Sequence, residues 1–411
     1  MTEPSRLGGR ILRGLVIGLA LVGLVAFFYR AEISRLLDAW RLFDADRIVH
    51  NFQHMDESFS SRAIQHGDDV LEFSRAPYTM PETFTHRGKT FETEPFLERV
   101  KTTGLLIVQD ETIRLERYER GHTPAGRHIA WSVSKSFVSA LFGIAVAEGH
   151  LEDLMQPVSE ILPELEGSGY DGVPIKDVLQ MSSGVRFDED YGDPFSDINR
   201  MGPSMATGSL LDFAATLERE REPGTVQHYV SVDTQVLGEI LVRVTGQDLA
   251  TYATEKLWKP LGMEFDAYFL TDGTGMEWAF GGLNASLRDF ARFGWLFAHG
   301  GRRNERQIVP EAWVKASVTP DAPHLVPGDE PGGKMGYGYQ WWIPTDADGE
   351  YMAMGVYGQY IYIYPKHRLV IVKTSADPRF QDNDYESDFE TVAAFRAIAA
   401  QLGGAGGRRS R

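Results

Sequence analysis

Ser132 and Lys135 stand three positions apart in Trp131-Ser132-Val133-Ser134-Lys135-Ser136, and residues at that spacing share one face of a helix. A serine hydroxyl is a poor nucleophile until a base takes its proton. A lysine desolvated at the start of a buried helix gives up its own proton and can serve as that base. The start of a helix also favours the negative charge that develops on an attacked carbonyl oxygen. Taken alone, the pair fits a helix cap beside a solvated lysine equally well. The argument for chemistry comes from the segment that follows, Phe137 to Gly149, which is too apolar for a surface helix and places Lys135 at the head of a buried one. Further along, Pro223 to Ser231 reads as a turn with Tyr229 and, two residues later, the polar Ser231. Tyr229 as phenolate, or Lys135 as free amine, could deprotonate Ser132 and later protonate a leaving group. An ordinary buried tyrosine beside a turn is the plainer alternative.

Hydrophobic spacing marks the elements that must hold these residues. Ser132 to Glu148 reads as a helix, with Phe137, Leu141, Ile144 and Glu148 along one line and Gly149 as its stop. Gly104–Gln109 and Thr112–Tyr118 read as paired strands about the turn Asp110-Glu111. Residues 150–275 are mostly helical, broken by loops such as 167–172 and 221–225. Strands return at Gly358–Tyr364 and Leu369–Thr374. A last helix, Ser387 to Leu402, carries Val392, Phe395, Ile398 and Leu402 at helical spacing. Strands at both ends with helices between them predict an α+β fold: an antiparallel sheet flanked by helices, with a mostly helical insertion. That domain is expected over 96–402, with a Gly- and Arg-rich disordered tail at 403–411. No repeat of fixed period is present, which disfavours solenoids and propellers.

The N-terminus carries a separate signal. Gly14 to Tyr29 is uncharged and apolar, and Ile11-Leu12 extend it beyond Arg13; a bilayer core takes about 20 apolar residues. Arg6, Arg10 and Arg13 precede the run, which predicts a cytoplasmic tail (1–10), a transmembrane anchor (11–29) and an exported remainder. The run ends in Phe27-Phe28-Tyr29-Arg30, bulky residues unlike a signal-peptide cleavage site. The expectation is a single-pass protein of a bacterial inner membrane with a periplasmic or extracytoplasmic domain and the lipid bilayer as a partner. Residues 30–95 read as a juxtamembrane helix, Ala31 to Phe43, followed by a weakly periodic wrapping segment.

Composition removes several function classes. A net charge of −17 repels phosphate backbones and argues against nucleic acid as a partner. The absence of cysteine removes disulfides, thiolate catalysis and Cys-based zinc sites together. Eleven histidines are scattered without an H-E-x-x-H pattern, so no metal or other cofactor is expected. No G-x-S-x-G elbow occurs, which disfavours an α/β-hydrolase triad. Gly328 to Lys334 has P-loop glycine spacing, but Met335 replaces the magnesium-binding hydroxyl and no strand precedes it. Asp188-Glu189-Asp190 reads as a solvated loop, and Lys373-Thr374-Ser375 as the end of a strand. Alternation along a strand would put one of Trp341 and Trp342 inside and the other toward a cleft.

In this order, Ser132-Val133-Ser134-Lys135, Tyr229-Val230-Ser231 and Gly358-Gln359 resemble the three motifs of the serine β-lactamase and penicillin-binding-protein superfamily. The likeness covers roughly residues 95–400 and is strongest to its class C-like branch. Residues 181–194, 281–294 and 336–342 look most like the aminohexanoate-dimer (nylon-oligomer) hydrolases within it. The resemblance implies a β-lactamase-like fold and hydrolysis of a small ester or amide through an acyl-enzyme. It implies Ser132 as nucleophile, Lys135 as activator and Tyr229 as proton shuttle, with the amides of Ser132 and Gln359 as oxyanion hole. Tyr191, Ser231, Asn284, Trp341, Trp342, Tyr357 and Gly358 would border the substrate. Val356-Tyr357-Gly358 lacks the cation common at the third motif, which favours neutral substrates over carboxylate-bearing ones. A catalytically weak, penicillin-binding-like envelope peptidase or sensor is the alternative, and oligomeric state is left open.

Overall fold

The computed structural model describes residues 41–328 and 334–406, together with 14–18, 23 and 27. Its frame is an eight-stranded sheet. In chain order the strands are β1 (Ser74–Arg75), β2 (Thr102–Gln109), β3 (Thr112–Tyr118), β4 (Gly336–Tyr337), β5 (Trp342–Ile343), β6 (Tyr351–Gly355), β7 (Gln359–Tyr364) and β8 (Leu369–Ser375). They lie in the order β4-β5-β6-β7-β8-β2-β3-β1, antiparallel except where β1 runs parallel to β3. Leu105-Leu106-Ile107-Val108 and Leu369-Val370-Ile371-Val372 are unbroken apolar runs because both strands are central and covered on both faces.

One face packs against α1 (Val133–Ala147) and α3 (Leu287–Ala298), whose Phe137 and Phe293 rings stack 3.6 Å apart. Gly294 permits that approach: a Cβ there would stand 2.6 Å from a Val370 methyl and 2.8 Å from one of Ile361. The other face takes α4 (Asp382–Gly406), which buries Phe395, Ile398 and Leu402 against Tyr360, Tyr362 and Ile371. A second sheet joins Ser61–Ile64, Ala267–Leu270, Leu283–Ser286 and Arg127–Ile129 in that order. It delivers the chain to α1 through the bond from Ala130 N to Leu283 O. The insertion between these parts is mostly helical and includes α2 (Ser231–Thr245). The α+β expectation thus holds in its sheet, flanking helices and insertion.

Two features of the fold go beyond the sequence expectations. The stretch before residue 96 is built into the fold: Ser61–Ile64 edges the second sheet, Ser74–Arg75 edges the first, and a hairpin forms at 83–92. Strand β6 was also not expected, because Tyr351-Met352-Ala353-Met354-Gly355 has no β-branched residue to mark it. Among the described residues no helix is long and apolar enough to cross a membrane. Most of the 11–29 run lies outside the described residues, as do most of the expected helix Ala31–Phe43, residues 329–333 and the end of the tail.

Candidate active site

Ser132 occupies the N-cap position of α1, so its amide belongs to the helix-start N–H groups that lack an intrahelical acceptor. One turn on, Lys135 is only 1% exposed. Its ammonium donates to Ser132 Oγ (2.9 Å), Ser231 Oγ (3.2 Å) and the Phe280 carbonyl (2.8 Å), matching its three hydrogens. Burial drags the Lys135 pKa down to about 7, against the opposing charges of Glu189 and Asp233. The same physics acts oppositely on Tyr229, whose phenol burial and the Glu189 charge hold well above its ordinary range. Tyr229 stacks on Trp342 (ring centroids 5.4 Å apart), and Lys135 Nζ lies 5.1 Å from the Tyr229 ring centre.

Glu189 closes the polar network. It accepts from the Ser231 hydroxyl at 2.5 Å, the Ser231 amide at 3.1 Å and the Tyr191 hydroxyl at 2.8 Å. In α2's first turn, Asp233 accepts from Tyr170 at 2.8 Å, and burial holds its carboxyl well above the usual range. These groups sit at one wall of a cleft of about 620 Å³, whose lining is mainly aromatic and thioether: Tyr191, Tyr229, Met335, Trp342, Met354 and Phe380 among others. Glu189, Asp388 and Lys334 are the charged groups on it among the described residues.

The third motif lies elsewhere than expected. A Cβ on Gly355, at the end of β6, would stand 3.1 Å from Ser132 N and 2.6 Å from Ala130 O. Strand β6 therefore runs alongside the head of α1, and Met354, Gly355 and Val356 line the cleft. Gly358 and Gln359 begin the return strand β7, which is one strand further from Ser132. A Cβ on Gly358 would meet Lys373 and Ser375 instead. Gln359 is 1% exposed, and its amide side chain bonds the backbone of Ser375 on β8 and donates to the Val356 carbonyl at 3.2 Å.

The remaining expected residues divide. Tyr191, Tyr229 and Trp342 line the cleft, and Ser231 joins the Lys135–Glu189 network. Trp341 does not: it is fully buried against Phe297, at 4.5 Å between ring centroids. Asn284 does not either, being fully buried in the second sheet with Nδ2 donating to the Gly282 carbonyl. Tyr357 is 8% exposed and lies in the β6–β7 turn itself, stacked on Phe43. Lys373, on β8, donates to the Gly358 carbonyl and is lowered to about 8 by burial. The sequence reading missed Glu189, set down as part of a solvated acidic run, and Gly355-Val356. The signal for Glu189 was a carboxylate two residues before an aromatic expected at the cleft. Among the described residues no group of three or more histidines and carboxylates could hold a metal ion.

Comparison with known proteins agrees with this geometry. Residues 92–395 match the profile of the Beta-lactamase family. The chain is 33% identical over 356 residues to a 6-aminohexanoate-dimer hydrolase of Paenarthrobacter ureafaciens, covering 83% of this chain and 88% of that one. It superposes with a TM-score of 0.79 and 25% identity on a Bacillus anthracis structure provisionally designated a 6-aminohexanoate-dimer hydrolase, over 88% of this chain and 96% of that one. With EstCE1, a hydrolase with promiscuous acyltransferase activity, it shares the fold at a TM-score of 0.59 and 17% identity, over 74% and 96% of the two chains. The chain belongs to the Beta-lactamase family and is a serine hydrolase of the amide or ester type.

Proposed function

We propose that the protein hydrolyses small, unbranched amides or esters through an acyl-enzyme on Ser132. The observation that carries this reading is the buried Lys135 amine 2.9 Å from the Ser132 hydroxyl, with its pKa drawn to about 7. Near neutrality about half of such lysines are uncharged, so Lys135 takes the Ser132 proton as Oγ bonds to the substrate carbonyl carbon. The amides of Ser132 and Val356, brought together by Gly355, receive the oxyanion. Tyr229, held as a phenol, passes its proton to the leaving nitrogen or oxygen as its bond to carbon breaks and takes back the proton that Lys135 removed from Ser132, which restores the free amine. Water then repeats the sequence on the ester, releasing the acid and freeing Ser132.

The cleft's aromatic and thioether lining suits a chain of methylene groups. A relative that acts on a 6-aminohexanoate dimer supports an amide of that kind. The position of the third motif's cation is filled by Ala353, two residues before Gly355, which favours acyl groups without a carboxylate beside the scissile bond. Ser132→Ala should abolish ester hydrolysis with little change in Tm. Near-wild-type turnover would refute the assignment. The apolar run at 11–29 is proposed to hold this domain on the outer side of a membrane; loss of the protein from membranes on carbonate washing would count against it.

A further inference from the structure

Two residues next to the proposed oxyanion donors have backbone conformations that side chains resist. Trp131, immediately before Ser132, has φ +45°, and Tyr357, immediately after Val356, has φ +62°. In both, the Cβ crowds its own backbone, and such conformations persist where surrounding packing enforces them. The packing here is one aromatic cluster. The Phe43 ring lies flat on Tyr357, with centroids 5.3 Å apart and planes 11° from parallel, and 6.0 Å from Trp131. Phe52 meets the same two rings edge-on at 5.3 Å and 5.1 Å. From the other side Phe380, which lines the cleft, presses on Tyr357 at 4.4 Å.

Phe52 is fully buried, and its carbonyl accepts from the Ile129 amide at 2.8 Å, so it is part of the fold's own fabric. Phe43 is different. It is 48% exposed, lies in a turn outside both sheets, and turns its buried side to the two strained residues and to the edge of Phe52, 6.3 Å away between ring centroids. A half-exposed aromatic that bridges the residue before one proposed oxyanion donor and the residue after the other has a positional use.

We propose that Phe43 is a positioning residue: by clamping Trp131 and Tyr357 together it fixes the spacing of the Ser132 and Val356 amides. The inference rests on the acyl-enzyme reading of the site. Removing a whole oxyanion donor costs about 10²–10³ in turnover, and loosening the pair should cost less. Phe43→Ala is therefore expected to lower kcat about tenfold on a neutral p-nitrophenyl ester, with KM within about twofold. Phe43→Tyr, which keeps the flat ring, should restore kcat. Phe43→Leu, which keeps apolar volume without a stacking face, should fall between them and guards against loss of folding in the alanine variant. A residue with a merely structural role would lower Tm while leaving kcat per folded molecule unchanged.

The companion measurement is the rate at which a fluorophosphonate labels Ser132, read by intact mass. Wild type that labels, with Phe43→Ala labelling about tenfold more slowly, supports the clamp. Equal labelling and equal kcat in the two proteins would overturn it while leaving the acyl-enzyme reading in place. Wild type that does not label at all would overturn both.

Discussion

Replacing Glu189 by glutamine should move the acid limb of the pH–rate profile toward lower pH. Lys135 and Glu189 bond the same Ser231 hydroxyl, at 3.2 Å and 2.5 Å, so the two charged groups are at most about 6 Å apart. At an effective dielectric near 20 a unit pair at that separation interacts by about 3 kcal/mol, and solvent at the cleft reduces this, leaving about 1 to 2 pKa units. The sign follows from Lys135 being the acid form's proton holder. The Glu189 charge favours the ammonium, so its removal lowers the Lys135 pKa below about 7 and leaves more free amine under acidic conditions. Wild type should lose activity as pH falls through about 7 and retain about one-tenth of its plateau kcat/KM at pH 6. Glu189→Gln should retain between about one-half and nine-tenths of its own plateau there. The assay is kcat/KM for a p-nitrophenyl ester between pH 5 and 9, read at the wavelength where phenol and phenolate absorb equally. Each profile is normalised to its own plateau, which separates the shift from any loss of Tyr191 and Ser231 anchoring. A limb that stays put or moves to higher pH would refute the reasoning.

Three further outcomes are expected. Gly355→Ala should cost at least about 100-fold in kcat/KM, because its Cβ would stand 2.6 Å from Ala130 O at the head of α1. Gln359→Ala should act on the fold: it strips two hydrogen bonds from buried Ser375 backbone groups and one from the Val356 carbonyl, and should lower stability by about 1–3 kcal/mol in denaturant melts. A carboxylate-bearing penicillin should have a kcat/KM at least about 100-fold below that of a neutral ester, since a desolvated unpaired charge costs a few kcal/mol; comparable values would point to Lys334, a cation lining the cleft.

Local pattern made much of this legible. Ser132 and Lys135 sit one helical turn apart, and the apolar run after them announces burial, so their meeting needs no tertiary information. The central strands and α4 carry period and composition strong enough to be seen directly. The third motif was misplaced by one strand for a definite reason. The sequence Gln359-Tyr360-Ile361-Tyr362-Ile363-Tyr364 is conspicuously β-forming, whereas Tyr351 to Gly355 contains two methionines, an alanine and a glycine. A glycine opening the visible strand therefore drew the motif away from the glycine that closes the inconspicuous one. What distinguishes Gly355 is close approach to Ser132, a property of the folded chain. Glu189 was hidden likewise: between two aspartates it looks solvated, and only the fold brings it to Ser231, 42 residues away. Trp341 and Trp342 show the limit of alternation, which separates inside from cleft without saying which is which.

The central claim is that Ser132 carries the acyl group, and intact mass after rapid acid quench of turnover tests it most directly. Lys135→Ala, which keeps Ser132 but lacks the buried amine, should accumulate no adduct on the same timescale. Wild type mixed with a slow neutral ester should gain the mass of one acyl group, mapped by digestion to the peptide bearing Ser132, and Ser132→Ala should gain none. An adduct of the same mass on Ser132→Ala, or turnover by that variant at the wild-type rate, would contradict the account.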